Sequence, residues 1–292
     1  MTMERRQNYP YWFLLPAFAV FALLYLTPTL TGLYYSFTDW NINKKTIDFV
    51  GLENFRSLFS DRKMVAALWH TLIYAFAVTV IRNSVGLGMA LVLNVKMRFR
   101  NLFRTVFFLP YMISPLIIGY LFTAIYHPAN GLLNMGLKGA GLGVFAVDWL
   151  NDPRFALFSA IMVDVWRTSG FAMVIYLAGL QMIPGELYES ASLDGARFTQ
   201  TFRHIMFPLI APSLTINLVL SLIGTMKVFV MILVLTNGGP GYTTEVINTY
   251  IMTEFSLGLY GLGTAANLVL TALIVLLGFP VLILLRKREV AL

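Results

Sequence analysis

The sequence contains no cysteine, which removes disulfide bonds, thiolate nucleophiles and cysteine-ligated metals without identifying a compartment. Charge is almost as scarce. Asp, Glu, Lys and Arg make up 12% of the 292 residues, against roughly 25% in soluble domains. The few histidines, His70, His127 and His204, are dispersed and lack H-E-x-x-H spacing, so they read as interfacial or loop residues rather than metal ligands. No G-x-x-x-x-G-K-[ST] phosphate loop occurs, so ATP is not expected to bind this chain, and no cofactor of its own is expected. A soluble domain, a low-complexity linker and a clear internal repeat are also missing.

What is abundant is apolar. Hydrophobic residues reach 58% and the mean hydropathy is +0.73, and they fall in blocks of the roughly 20 residues that cross a bilayer. Such a chain needs lipid as its solvent. Six blocks are legible, at about 12–35, 70–93, 103–126, 155–180, 213–236 and 264–285. Backbone polar groups cannot be left open in hydrocarbon, so blocks of this length are expected to be helices; a barrel would show alternating ten-residue segments. The expected fold is an all-α integral membrane protein, one transmembrane domain over 1–292 with about six spans. Arg5 and Arg6 precede the first block, as in a signal peptide. Yet the block is too long, and its exit, Ser36-Phe37-Thr38-Asp39-Trp40, offers no small-x-small cleavage site, so it reads as a retained helix.

Basic residues set the orientation. With both termini cytoplasmic, the inside segments hold Arg5, Arg6, Lys96, Arg98, Arg100, Arg104, Arg197, Arg203, Arg286, Lys287 and Arg288. The outside loops hold Lys44, Lys45, Arg56, Arg62, Lys63, Lys138 and Arg154. The compact inside clusters at 96–104 and 286–288 lie nearest helix ends and dominate. Bases at helix ends also account for the net charge of +7, so no nucleic-acid partner is expected. Trp40, Trp69, Tyr126 and Trp149 stand where an interfacial aromatic belt would place them.

The most informative segment is the inside loop 184–208. Leu187, Ala191, Phe198, Phe202 and Ile205 recur at helical steps beside Glu186, Glu189, Asp194, Arg197 and Arg203, which predicts an amphipathic helical unit. Gly195 interrupts it, at a cost of about 1 kcal/mol of helix propensity relative to Ala, and marks a bend or a close helix contact. Pro184 and Pro208 fence the unit from the flanking spans. From the residues alone, two readings stand side by side: a helix lying on the membrane surface, and a docking element for a cytoplasmic partner.

Glu189, Ser190, Ala191, Gly195, Ile205, Phe207 and Pro208 resemble, in order and spacing, the EAA loop of membrane subunits in binding-protein-dependent ABC importers. Ser190 replaces the usual Ala and Phe207 the usual Leu. Further stretches, Phe103-Arg104-Thr105-Val106-Phe107-Phe108-Leu109-Pro110, Val165-Trp166-Arg167, Leu177-Ala178-Gly179-Leu180-Gln181-Met182-Ile183-Pro184 and Leu235-Thr236-Asn237-Gly238-Gly239-Pro240, resemble the carbohydrate branch, and specifically the first membrane subunit of the maltose and glycerol-3-phosphate importers. The resemblance covers about residue 50 to the C-terminus.

It implies a division of labour. A periplasmic or lipid-anchored binding protein delivers a saccharide outside, two homologous permease subunits form the path across the bacterial inner membrane, and two ATPase subunits, a homo- or heterodimer, hold ATP and Mg on its cytoplasmic side. The 184–208 loop would be the coupling element, with Glu189, Ala191, Asp194, Gly195, Ala196, Phe198 and Pro208 its expected contact and bend residues.

Charge at bilayer depth costs roughly 2.5–3.5 kcal/mol and usually faces protein or water. Asp164 and Arg167, three apart in the fourth block, are placed for an intrahelical structural pair. Arg82 and Lys227 add positive charge. Where relatives of this type often carry an uncharged polar residue followed three places on by Asp, this chain has Lys227 and Val230. An acidic saccharide, a uronate oligomer or a sugar phosphate, is therefore weighed against a neutral oligosaccharide. Asn217, Ser221, Thr225 and Phe229 recur at four-residue steps and are candidates, with Arg82 and Lys227, to line the path; helix packing explains the first three equally well. The alternative class, an ion-coupled secondary transporter, would need buried coupling acids, and Asp164 is the one carboxylate well inside a block. An intramembrane enzyme would need a nucleophile–base set or a metal cluster, and the sequence displays neither.

Overall fold

The computed structural model describes residues 11–95 and 97–287. Arg5, Arg6, Lys96 and Arg288 lie outside the described residues. The described residues are helical apart from loops and an isolated bridge between Thr38 and Phe49. The helices are α1 (Trp12–Tyr35), α2 (Glu53–Ser60), α3 (Arg62–Asn94), α4 (Arg100–Met112), α5 (Pro115–Ile125), α6 (Leu132–Gly139), α7 (Ala156–Met182), α8 (Gly185–Leu193), α9 (Phe198–Leu209), α10 (Ala211–Met226), α11 (Val230–Leu235), α12 (Ile247–Ser256) and α13 (Tyr260–Arg286). α1, α3, α7 and α13 are each long and apolar enough to cross a membrane, and the count rises to six if each of two bent pairs is one span.

Those two pairs differ from the expected blocks. The block at 103–126 is α4 and α5, bent by 96°. Pro110 and Pro115 withhold backbone donors, and Ser114 caps α5 through the Leu116 N–H, so the chain turns at 113–114. The block at 213–236 is also divided. α10 stops at Met226, with Lys227–Phe229 non-helical before α11, while the 67° bend between α9 and α10 lies ahead of the block. Hydropathy registers an apolar stretch and is blind to a change of direction within it.

Two π-helical turns have one cause. Ala22–Leu26 ends two residues before Pro28, and Phe202–Met206 ends two residues before Pro208. A proline cannot donate to the carbonyl four residues back, and widening the preceding turn re-aims that carbonyl. In the first, the Thr27 hydroxyl donates to the Ala22 carbonyl at 2.9 Å.

By contact density the chain divides into two units, residues 1–58 with 251–268, and residues 59–250 with 269–292. In the first, Trp40 packs on Tyr35 and Tyr260 while its carbonyl accepts from the Gly261 N–H at 2.8 Å. Asn54 donates to the carbonyls of Ser36 and Thr38. The second unit is built on α3 and α7, which pack along each other with α10 and α4 against α7. Gly170 permits this: a Cβ there would collide with the Phe107 backbone of α4. One apolar cluster, around Tyr74, Val78, Ile118, Val163 and Ile232, joins α3, α5, α7 and α11; a second, around Leu93, Met173, Tyr176 and Ile210, joins α3, α7 and the end of α9.

Of the expected belt aromatics, Trp69 is exposed. Tyr126 is buried against Phe122 and Trp149, and the Trp149 indole donates to Asn134, so these rings secure a loop.

Candidate functional site

The 184–208 segment begins at Pro184, whose fixed φ suits the entry to α8. α8 ends by giving Gly195 a φ of +69°, a left-handed conformation that side chains with a Cβ disfavour. The Gly195 N–H donates to Ser192 O at 3.1 Å and the Ala196 N–H to Ala191 O at 2.9 Å, so the last carbonyls of α8 are satisfied by a Schellman turn. The chain restarts at Arg197, whose N–H donates to the Gln200 side chain at 2.7 Å. The result is two short helices joined by a bend. Apart from its own chain neighbours, no atom of the described residues lies within 4 Å of a Cβ built on Gly195, so the glycine serves the backbone turn rather than a close contact with them.

Around the bend, Glu189, Asp194 and Phe198 are exposed, Ala191 is buried, and Ala196 and Pro208 are half-buried. Of the expected apolar stripe, Ala191 is buried, Phe202 and Ile205 are half-buried, and Leu187 and Phe198 are exposed; Leu187, Ala191 and Ile205 line one hollow. Ser190, Asp194, Gln200 and His204 rim an open hollow of about 470 Å³ between the two helices.

The intramembrane residues form a connected network. The Arg167 Nε and Nη2 donate to Asp164 Oδ1 at 3.2 and 3.0 Å. The Tyr74 hydroxyl donates to the other oxygen, Oδ2, at 3.0 Å. Arg82 is buried with its guanidinium over the Phe171 ring at 5.6 Å, within the field of Asp164, and its Nε lacks a partner. Next to it, Asn83 accepts from the Tyr176 hydroxyl at 2.7 Å and donates to Ser221 Oγ at 3.0 Å.

Four of the path-lining candidates are buried within this chain. Asn217, Ser221 and Thr225 are buried against α3 and α7, where Asn217 donates to Ala172 O at 3.0 Å and the Thr225 hydroxyl lies 3.4 Å from that of Thr79. They hold helices together. A four-residue step identifies a helix face, not what that face meets. Arg82 is likewise a core residue of this chain. The other two candidates lie at the break after α10, where Lys227 is exposed and Phe229 half-buried.

The histidines are separate. The His70 ring lies 3.1 Å from Glu245 O, His127 accepts from the N–H groups of Ala129 and Asn130, and His204 lies 3.0 Å from Gln200 O. Among the described residues no group of three His, Cys, Asp or Glu side chains is placed to hold a metal. The sequence reading missed Tyr74, Asn83 and Tyr176, although polar groups inside apolar blocks were a visible signal. It also missed Glu245, buried in the loop after α11 with Lys63 Nζ at 3.8 Å and the Lys63 ammonium over Tyr242 and Tyr250.

A helix–bend–helix unit between two apolar helices is the geometry expected from the 184–208 resemblance, and the family comparison decides it: the binding-protein-dependent transport system inner membrane component family matches residues 82–288. The chain belongs to that family. Curated relatives of this inner membrane component cover most of its length. It is 35% identical over 287 residues to the probable starch degradation products transport system permease protein AmyD of Thermoanaerobacterium thermosulfurigenes, covering 96% of this chain and 95% of the relative. It is 36% identical over 228 residues to the trehalose/maltose transport system permease protein MalF of Thermococcus litoralis, covering 78% and 76%. Among solved structures, a chain of a bacterial ABC transporter involved in the import of the acidic polysaccharide alginate superposes with a TM-score of 0.83 at 27% identity, covering 95% of this chain and 94% of that one. As a member of this family the protein is a transport component rather than an enzyme.

Proposed function

We propose that this chain is a permease subunit of an ATP-driven importer that carries a saccharide across the bacterial cytoplasmic membrane, with both termini inside. It pairs with a second homologous permease, receives solute from a periplasmic or lipid-anchored binding protein, and is driven by two ATPase subunits that hold ATP and Mg. The observation that carries the reading is the exposed helix–Gly195–helix element on a family member whose relatives are named as sugar permeases.

The mechanism follows from the chain's own geometry. α8 continues from α7 after Ile183-Pro184, and α9 leads directly into α10, so a push on the bend is delivered to two helices of the same packed unit. The Schellman turn makes that bend a fixed corner rather than a hinge. Glu189 and Asp194 offer carboxylates to basic groups of an ATPase, and Phe198 offers an exposed ring. ATP-driven closure of the ATPases then shifts the equilibrium between inward- and outward-open packings, the energy coming from outside this chain. Asp164 has both carboxylate oxygens engaged, which disfavours ion-coupled secondary transport, where a coupling acid must exchange its cation.

For the solute, Lys227 favours the acidic reading: it is an exposed lysine at a helix break, and a structural neighbour belongs to an alginate importer. The decisive experiment is ATP hydrolysis by the reconstituted complex, with assembly followed by pull-down. Glu189→Arg and Gly195→Pro should lose binding-protein-stimulated hydrolysis or ATPase attachment. Unchanged attachment and hydrolysis in both would leave the loop as a membrane-surface helix.

A further inference from the structure

No carboxylate occurs between Asp61 and Asp148, a stretch that contains Arg62, Lys63, Arg82, Lys96, Arg98, Arg100, Arg104 and Lys138. Arg100 and Arg104 stand one turn apart on α4. With its amide turned to satisfy its neighbours, the Gln181 carbonyl at the end of α7 accepts from Nη2 of both. Two guanidiniums thus converge on one neutral oxygen, where like charges one turn apart repel. Among the described residues no carboxylate pairs with Arg98, Arg100 or Arg104, and the Nε of both Arg100 and Arg104 is sequestered without a partner. An open cavity of about 580 Å³ lined by residues 97–102 lies at this corner. Immediately along α4, Phe99, Leu102, Phe103 and Val106 are exposed.

A cationic head joined to an exposed apolar strip has the chemistry of an amphiphile site. We infer that this corner binds the phosphate of an anionic phospholipid of the inner leaflet, with acyl chains along Phe99, Leu102, Phe103 and Val106. The charge and the remaining Nη1 donors of Arg100 and Arg104 suit phosphate oxygens, and Gln181 holds the two guanidiniums side by side. Because Gln181 lies just before Pro184, a bound headgroup braces the base of α8. The inference rests on the proposed inward orientation of this end of the chain.

The test is lipid retention by the purified complex, measured by native mass spectrometry after exchange with equal phosphatidylglycerol and phosphatidylcholine. The wild type should retain phosphatidylglycerol preferentially. Arg100→Gln/Arg104→Gln should lower that retention by roughly tenfold or more, at about 1 kcal/mol per basic residue near an anionic surface. The charge-matched control Arg286→Gln/Lys287→Gln should leave it unchanged. Equal loss in both pairs, no preference in the wild type, or displacement by millimolar inorganic phosphate would overturn the inference, the last by assigning the site to a soluble anion. The wild-type preference needs no variant, so poor folding of the glutamine pair leaves it testable. An Asn101→Cys variant labelled only from outside would refute the orientation, and ATP hydrolysis by the same preparations would still report on the importer reading independently.

Discussion

Tyr74 donates its hydroxyl to Asp164 Oδ2 at 3.0 Å while Arg167 occupies Oδ1 of the same carboxylate, so one buried acid ties α3 to α7 and neutralises a base on its own helix. Removing the hydroxyl in Tyr74→Phe should cost about 0.5–1.5 kcal/mol. Asp164→Ala leaves Arg167 unpaired at depth and should cost about 3–5 kcal/mol. Thermal unfolding of the detergent-solubilised complex gives the order; equal shifts would mean that the tyrosine, not the ion pair, carries the contact.

Gly195 sits at a φ of +69°, so Gly195→Ala should cost about 1–2 kcal/mol of local stability, and Gly195→Asn distinctly less. Coupled ATP hydrolysis should follow the same ranking. If Ala and Asn behave alike, backbone handedness is not what the position supplies.

Burial raises the Glu245 carboxyl above its ordinary value near 4.5, with the Lys63 charge working against the shift. The sign follows: a folded-state pKa that is raised favours the protonated acid, so this stabilisation is full below the ordinary value and is lost as pH climbs through the folded-state pKa. Glu245→Gln, always neutral, should therefore gain in Tm relative to wild type from pH 4.5 upward. A difference independent of pH would show that the Lys63 pair offsets burial completely.

Because the chain has no cysteine, single-cysteine labelling is free of background. Val144 and Leu193 are 92% and 90% exposed. Val144→Cys should react with an impermeant maleimide on intact spheroplasts, and Leu193→Cys only after permeabilisation. The reverse pattern would invert the proposed topology.

Lys227→Ala should slow uptake of an acidic oligosaccharide by roughly tenfold, the weight of one charge-assisted hydrogen bond, and spare a neutral one. Equal rates for both solutes would remove Lys227 from solute recognition.

The apolar blocks, the basic clusters at helix ends and the Glu189-to-Pro208 spacing were legible because each rests on local properties of the chain: hydropathy over twenty residues, charge at helix ends, and a glycine that readily adopts a left-handed turn. The sequence by itself therefore determined the helical membrane class, the family resemblance and the bend at Gly195. Direction and partnership were decided only by tertiary structure. Pro110 and Ser114 turn an apparently continuous span through 96°, and the face carrying Asn217, Ser221 and Thr225 is turned inward against α3 and α7. The same assembly brings Tyr74 to Asp164 across 90 residues and draws Arg100 and Arg104 onto Gln181. Periodicity states which side chains share a helix face; only packing, set by where a glycine lets two backbones approach and where a proline forces a turn, states what that face meets.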